Sequence, residues 1–177
     1  MRRLSFLLLI TFLLDACNSG TQQKPVRSLQ YFDLKGYIAK ESKRLAALNP
    51  TVDKFVEVNK SGEHKKLKIT DWQKELAIFS DADINKSAWQ GLFKAHETAE
   101  LKTYTSDNEK VPVKSLSIRY NKGKIYKLQL LISTANSLYT SNDTLSYYPD
   151  SLYEIKKTQH IKLLNEKNYH VSGSFNK

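Results

Sequence analysis

The sequence predicts an α+β fold: two N-terminal helices packed on an antiparallel β-meander sheet, with the option of a curved half-barrel. Two observations carry this. Residues 30 to about 80 place apolar side chains at helical spacing in two segments, and from Ala99 onward the apolar period drops to two. The order is also telling. Helices come first and a long run of strands follows, which favours a segregated α+β architecture over a parallel sheet with crossover helices. The expected folded unit is one domain over residues 29–177.

The first helix is expected over Gln30–Leu48. Leu34, Tyr37, Ile38, Leu45 and Leu48 share a face, Asp33 is a candidate cap, and Asn49-Pro50 stops the helix because proline disfavours helical geometry in the residue before it. Val52–Val58 and His64–Ile69 alternate like two strands around a five-residue loop, Asn59–Glu63. Thr70-Asp71-Trp72-Gln73 has the form of a capping box with Thr70 as the cap, and Trp72, Leu76 and Phe79 then line one face of a second helix. A short helical piece is expected near Asn85–Phe93. The strands that follow are Leu101–Thr105, Val113–Tyr120, Ile125–Thr134, Leu138–Ser141, Thr144–Tyr148, Tyr153–Leu164 and Tyr169–Phe175. Asn121-Lys122-Gly123 closes the clearest hairpin, and turns are expected at Asn142-Asp143 and Pro149-Asp150-Ser151.

Ahead of the domain stands MRRLSFLLLITFLLDACNSG. Arg2 and Arg3 precede an apolar run from Leu4 to Leu14, which at about 1.5 Å per residue is too short to span a bilayer comfortably and suits a signal-peptide core. Leu14, Ala16 and Cys17 match the bacterial lipobox, with Asp15 departing from the small residue usual at that position. The reading is a signal peptide over 1–16, a lipidated Cys17, and a polar tether over 17–28. A diacylglyceryl group on the Cys17 sulfur, joined by an acyl chain on the freed amine, gives stable membrane anchoring. It also accounts for the only cysteine in the chain and leaves no thiol for a disulfide, a zinc–thiolate site or cysteine catalysis.

The net charge is +10. Lysines are spread along the chain rather than gathered into a nucleic-acid footprint, so nucleic acid is not an expected partner. An anionic envelope polymer, a lipid or a protein remains open. Asp81, Asp83 and Asn85 imitate the start of a calcium loop, but Lys86 replaces the glycine needed for the turn and Leu92 the bidentate glutamate. His64, His96, His160 and His170 form no metal-binding pair. Asp71 and Glu75, one helical turn apart, could share acid–base work, but an exposed pair at this spacing with Lys74 beside it is more often an ordinary solvated helix face. There is no nucleophile elbow and no phosphate-cradling glycine loop, so no catalytic residue, metal ligand or cofactor is assigned. Tyr120, Tyr126 and Tyr139 are candidates to line a groove in the sheet.

The lipobox, the polar tether and the lysine-, asparagine- and tyrosine-rich domain, with stretches such as DWQKELAIFSDADINKSAW and LSYYPDSLYEI, resemble an uncharacterised family of Bacteroidota cell-envelope lipoproteins. That resemblance lends no activity. It implies an envelope location, and the lack of acidic residues after Cys17 implies an outer-membrane anchor facing the periplasm. Asp143-Thr144-Leu145 and Asp150-Ser151-Leu152 also resemble the O-glycosylation pattern of that group, which would place modification at Thr144 and Ser151 in turns. The expected function is a non-enzymatic binding or assembly module on the membrane. The alternatives are a periplasmic carrier holding lipid or glycan in a sheet groove, and a small hydrolase of envelope polymers.

Overall fold

The computed structural model describes residues 29–175; the expected signal peptide over 1–16, Cys17 and the expected tether lie outside the described residues. Within them the α+β expectation holds. An open antiparallel sheet of nine strands carries a few helices on one face. The elements are α1 (Leu34–Leu48), β1 (Thr51–Val58), β2 (Ser61–Lys68), α2 (Trp72–Glu75), α3 (Ala77–Asp81), a 3₁₀ turn (Ser87–Trp89), β3 (Lys94–Glu97), β4 (Leu101–Thr105), β5 (Val113–Asn121), β6 (Lys124–Ala135), β7 (Tyr139–Tyr148), β8 (Leu152–Ile161) and β9 (Lys167–Ser174). Across the sheet they run β2-β1-β9-β8-β7-β6-β5-β4-β3. After the β1–β2 hairpin the chain therefore crosses the sheet face to the opposite edge and returns as a seven-strand meander, where β9 closes on β1.

The helix α1 begins where Asp33 accepts the Gly36 N–H at 2.8 Å. A Cβ on Gly36 would lie 2.0 Å from that carboxylate, so the glycine makes room for the cap. The helix ends on Asn49, left-handed at φ 45°, just before Pro50. The second helix starts one residue later than a Thr70 cap would give: Asp71 is the cap, its Oδ1 accepting from the Lys74 N–H at 2.9 Å. It then breaks at Leu76 into α2 and α3, yet Trp72, Leu76 and Phe79 stay fully buried on one face. Trp72 meets Phe175 edge-on at 5.7 Å.

Three strand expectations change. The loop after β1 is a two-residue turn, Asn59-Lys60, with both residues at positive φ, as tight hairpins require. Asn142-Asp143 is no turn: β7 runs straight through it, because Asp143 pairs with Lys157 across to β8 and accepts from the Ser141 hydroxyl at 2.6 Å. The segment after the 3₁₀ turn is a short edge strand, β3. Both edges of the sheet are short or lysine-bearing and exposed, which discourages edge-to-edge association.

The inward side chains of the central strands, Leu116, Ile118, Leu128, Leu130, Leu145, Tyr147 and Tyr153, join Leu34, Ile38, Leu45, Trp72, Leu76 and Phe79 in one core. Alternation along each strand, period two, sets this face and sends Ser117, Gln129 and Thr144 to the other. Lost core volume here is expensive, since each large apolar side chain contributes about 1.5–3 kcal/mol when buried.

Candidate functional site

The helix layer is fastened to the sheet at two points of the same design. Tyr147 on β7 and Tyr153 on β8 are cross-strand partners, both fully buried and both facing the helices. Each donates its hydroxyl to a glutamate on a helix. Tyr147 reaches Glu41 of α1 at 2.8 Å, and Tyr153 reaches Glu75 of α2. Each glutamate also holds a cation: Arg44 lies 2.7 Å from Glu41, and Lys54 of β1 lies 2.7 Å from Glu75.

Burial, helped by the neighbouring glutamate, pushes the Tyr147 and Tyr153 hydroxyls well above their ordinary value. Tyr37 is raised in the same way, by burial and then by Glu41. The Glu41 hydrogen bond raises Arg44 further, and Arg44 also donates to the Pro149 carbonyl and faces Asp150, which ties α1 to the β7–β8 turn. Tyr153 can lie over β9 because its neighbour there is Gly173, where a Cβ would sit 2.4 Å from the ring.

The second cluster opens onto a groove of about 490 Å³ between α2–α3 and the sheet edge, larger than the hollow of about 130 Å³ that Arg44 of the first lines with Leu48, Pro50 and Pro149. Its floor is apolar, formed by Ile155 and Val171 with Ile78, Leu67 and Ile69 around them. Lys54, Lys68, Lys74, Asp71 and Glu75 provide the charge. Asp71 is engaged in capping α2, Lys68 donates to the Asn49 carbonyl, and Glu75 holds Lys54. The groove can therefore receive an elongated apolar group and offer Lys74 and the outer part of Lys54 to an anionic end. Periodicity could place Glu75 on a helix, but its tyrosine lies 78 residues away and gave no local signal.

The groove tyrosines expected from sequence fall elsewhere and are not brought together. Tyr120 is half-buried and packs against the core. Tyr126 is exposed at an irregularity in the β5–β6 pairing. Tyr139 lines a separate surface hollow with Leu138, His160 and Lys162. Ser151 sits exposed in the β7–β8 turn, whereas Thr144 is half-buried in mid-strand, paired with Leu131 and Lys156. Cys17 lies outside the described residues.

On the opposite sheet face, Phe55 stacks with His64 at 4.5 Å and meets His170 edge-on at 5.4 Å. His64 contacts Asp53, and His170 contacts Glu154 at 2.9 Å. Burial works against it, but hydrogen bonds from Lys156 and His170 hold the Glu154 carboxyl below its ordinary range. Among the described residues no group of three His, Cys, Asp or Glu side chains is arranged to hold a metal ion. Asp83 and Asn85 instead bond to one another, and Asn85 anchors the Tyr31 N–H and the Phe32 carbonyl. In comparisons with known proteins, no family model matches the chain, and no curated protein or solved structure is significantly similar to it.

Proposed function

We propose that the protein is a lipid-anchored lipoprotein of the bacterial cell envelope, held by Cys17 at the outer membrane facing the periplasm, and that it acts as a non-enzymatic binding module. The observation that carries the binding part is the groove: an apolar floor of Ile155 and Val171 beside lysines. This favours an amphiphilic envelope component, an acyl chain or apolar segment bearing an anionic group. The lipobox and short apolar run at the N-terminus support the location, as does the resemblance to Bacteroidota envelope lipoproteins. An acid–base role for Asp71 and Glu75 has less support, because one caps a helix and the other is engaged by Lys54 and Tyr153.

The test uses 1-anilinonaphthalene-8-sulfonate, an apolar anion that brightens when shielded from water. It is expected to bind the protein at micromolar concentration and to be displaced by oleate. Val171→Glu, which puts a carboxylate on the groove floor, is expected to weaken probe binding about tenfold or more by opposing both its charge and its apolar surface. Unchanged binding in Val171→Glu would remove the groove from the reading. Labelling of the wild-type chain but not Cys17→Ser with a fatty-acid probe checks the anchor separately.

A further inference from the structure

Three loops meet at one end of the sheet: the β6–β7 loop at Asn136–Leu138, the β8–β9 loop at 162–166, and the β1–β2 turn at Asn59-Lys60. The first two are joined by the Lys162 N–H donating to the Leu138 carbonyl at 2.8 Å. The last two are joined where Asn59 N–H meets the Asn168 carbonyl and Asn168 N–H meets the Asn59 side chain, both at 2.9 Å. Leucines project from this end. Leu138 is 67% exposed, Leu163 is 95% exposed and Leu164 is 56% exposed. Nothing in the core needs them there. Leu163 is even held at φ 69°, a left-handed backbone that a branched apolar residue rarely adopts, so the chain keeps it outward at a cost. The loops are nevertheless built. Asn136 Oδ1 accepts from both Leu138 and Tyr139, and Leu164 N–H bonds back to Ile161.

The charge around the leucines is chiefly positive. Lys60, Lys162 and Lys167 lie in or next to these loops, with Glu166 as the acid in the β8–β9 loop, its Oε1 accepting from Asn168. From these features we infer that this end of the sheet is a membrane-contact tip: the three leucines enter the interface of an anionic phospholipid bilayer while the lysines meet its headgroups. Shape favours a bilayer over a folded partner. Leu163 and Leu164 stand out on the β8–β9 loop and Leu138 borders the shallow hollow beside it, an arrangement a soft surface accommodates, whereas protein interfaces centre on anchors seated in pockets.

The inference rests on the anchored reading for one point, that the domain is already at a membrane. Residues 17–28 could span at most about 40 Å, and a ten-residue strand is about 33 Å long. The anchor therefore permits the tip to face the bilayer from any edge of the domain.

The experiment uses the full chain in vesicles of equal phosphatidylcholine and phosphatidylglycerol. Leu163→Cys is labelled with an environment-sensitive nitrobenzoxadiazole, and Lys122→Cys, in the hairpin at the opposite end of the sheet, serves as the reference. Nitroxide-bearing lipids are expected to quench the Leu163→Cys label about fivefold more than the reference, with a blue-shifted emission, and the difference is expected to shrink in pure phosphatidylcholine. Adding Leu138→Ser and Leu164→Ser, both at exposed positions, should abolish the difference. Equal quenching at both ends, or stronger quenching at Lys122→Cys, overturns the tip. So does a blue shift at Leu163→Cys that lipid nitroxides do not quench, which would mark a protein partner. Failure of the anchored reading shows separately: the wild-type chain would then take up the thiol label at a free Cys17, whatever the tip does.

Discussion

The two glutamate–tyrosine–cation clusters have the same wiring and different surroundings. Glu41, Tyr147 and Arg44 close α1 onto β7 beneath the helix layer. Glu75, Tyr153 and Lys54 close α2 onto β8 and β1 at the wall of a groove. The Glu41 side chain is 9% exposed and the Glu75 side chain 17%, while the two cations are open to a similar degree, Arg44 30% and Lys54 27%. In the first cluster a buried carboxylate must be satisfied from within, and the guanidinium fork does this with several hydrogen bonds. In the second, a lysine supplies one bond and keeps part of its ammonium available to water or to a ligand. Both cations are partly open, so the clusters differ in how the cation is engaged: the guanidinium is bound by Glu41 and the Pro149 carbonyl, whereas the lysine ammonium is bound by Glu75 beside the larger groove.

This difference predicts unequal damage from the same substitution. Glu41→Ala removes the acceptor of the buried Tyr147 hydroxyl and the main partner of Arg44, and is expected to cost about 3 kcal/mol. Glu75→Ala, where groove water can reach Lys54, is expected to cost about 1–2 kcal/mol. Denaturant melts at neutral pH measure both. Equal losses would mean that the two clusters are equally enclosed and that the groove does not reach the second.

Much of this fold was legible in the sequence, and the failures have physical causes. The α1 stripe, the β5–β6 hairpin and the Trp72–Leu76–Phe79 face are local patterns, and the structure contains them, except that Leu48 at the end of the stripe stands exposed. Lys94–Glu97 carries no alternation because all four residues are exposed on an edge strand, so no sequence period could mark it. Asn142-Asp143 resembles a turn by composition, yet a lysine on the neighbouring strand holds the aspartate inside the sheet. The clusters themselves were not readable. Tyr147 and Glu41 are 106 residues apart, and only the sheet order brings them together. A glutamate on a largely apolar helix face was the one available signal, since Glu41 falls between Ile38 and Leu45.

Alkaline pH compares the clusters without removing a carboxylate. In the folded state both tyrosine hydroxyls titrate above their ordinary value of 10.0, chiefly through burial. The unfolded chain thus releases these protons first as pH rises. Their contribution to stability is complete below about pH 10 and is lost above it, by up to about 1.4 kcal/mol per pH unit for each tyrosine. Stability measured by denaturant at successive pH values is expected to fall less steeply above pH 10 in Tyr147→Phe and in Tyr153→Phe than in the wild type. An identical slope in Tyr147→Phe would show that this hydroxyl titrates normally and is not enclosed.

Lys54→Met tests the groove side of the second cluster and carries the smallest stability change. Methionine keeps the length and apolar character of the lysine stem, and Glu75 retains the Tyr153 hydroxyl, so the carboxylate is not orphaned. The pair is partly open to solvent, where such ion pairs contribute about 0–1 kcal/mol, and the melting midpoint is expected to move little. Binding should respond differently. The ammonium is one of the cations facing the groove, and an anionic amphiphile loses a nearby positive charge when it goes. Anilinonaphthalene sulfonate affinity is therefore expected to fall severalfold, and more at low salt than at high salt, because screening already weakens an exposed charge contact. A variant that binds the probe as the wild type does, while losing several kcal/mol of stability, would reverse the assignment: Lys54 would then be as structural as Arg44, and the two clusters would differ only in the cation they use.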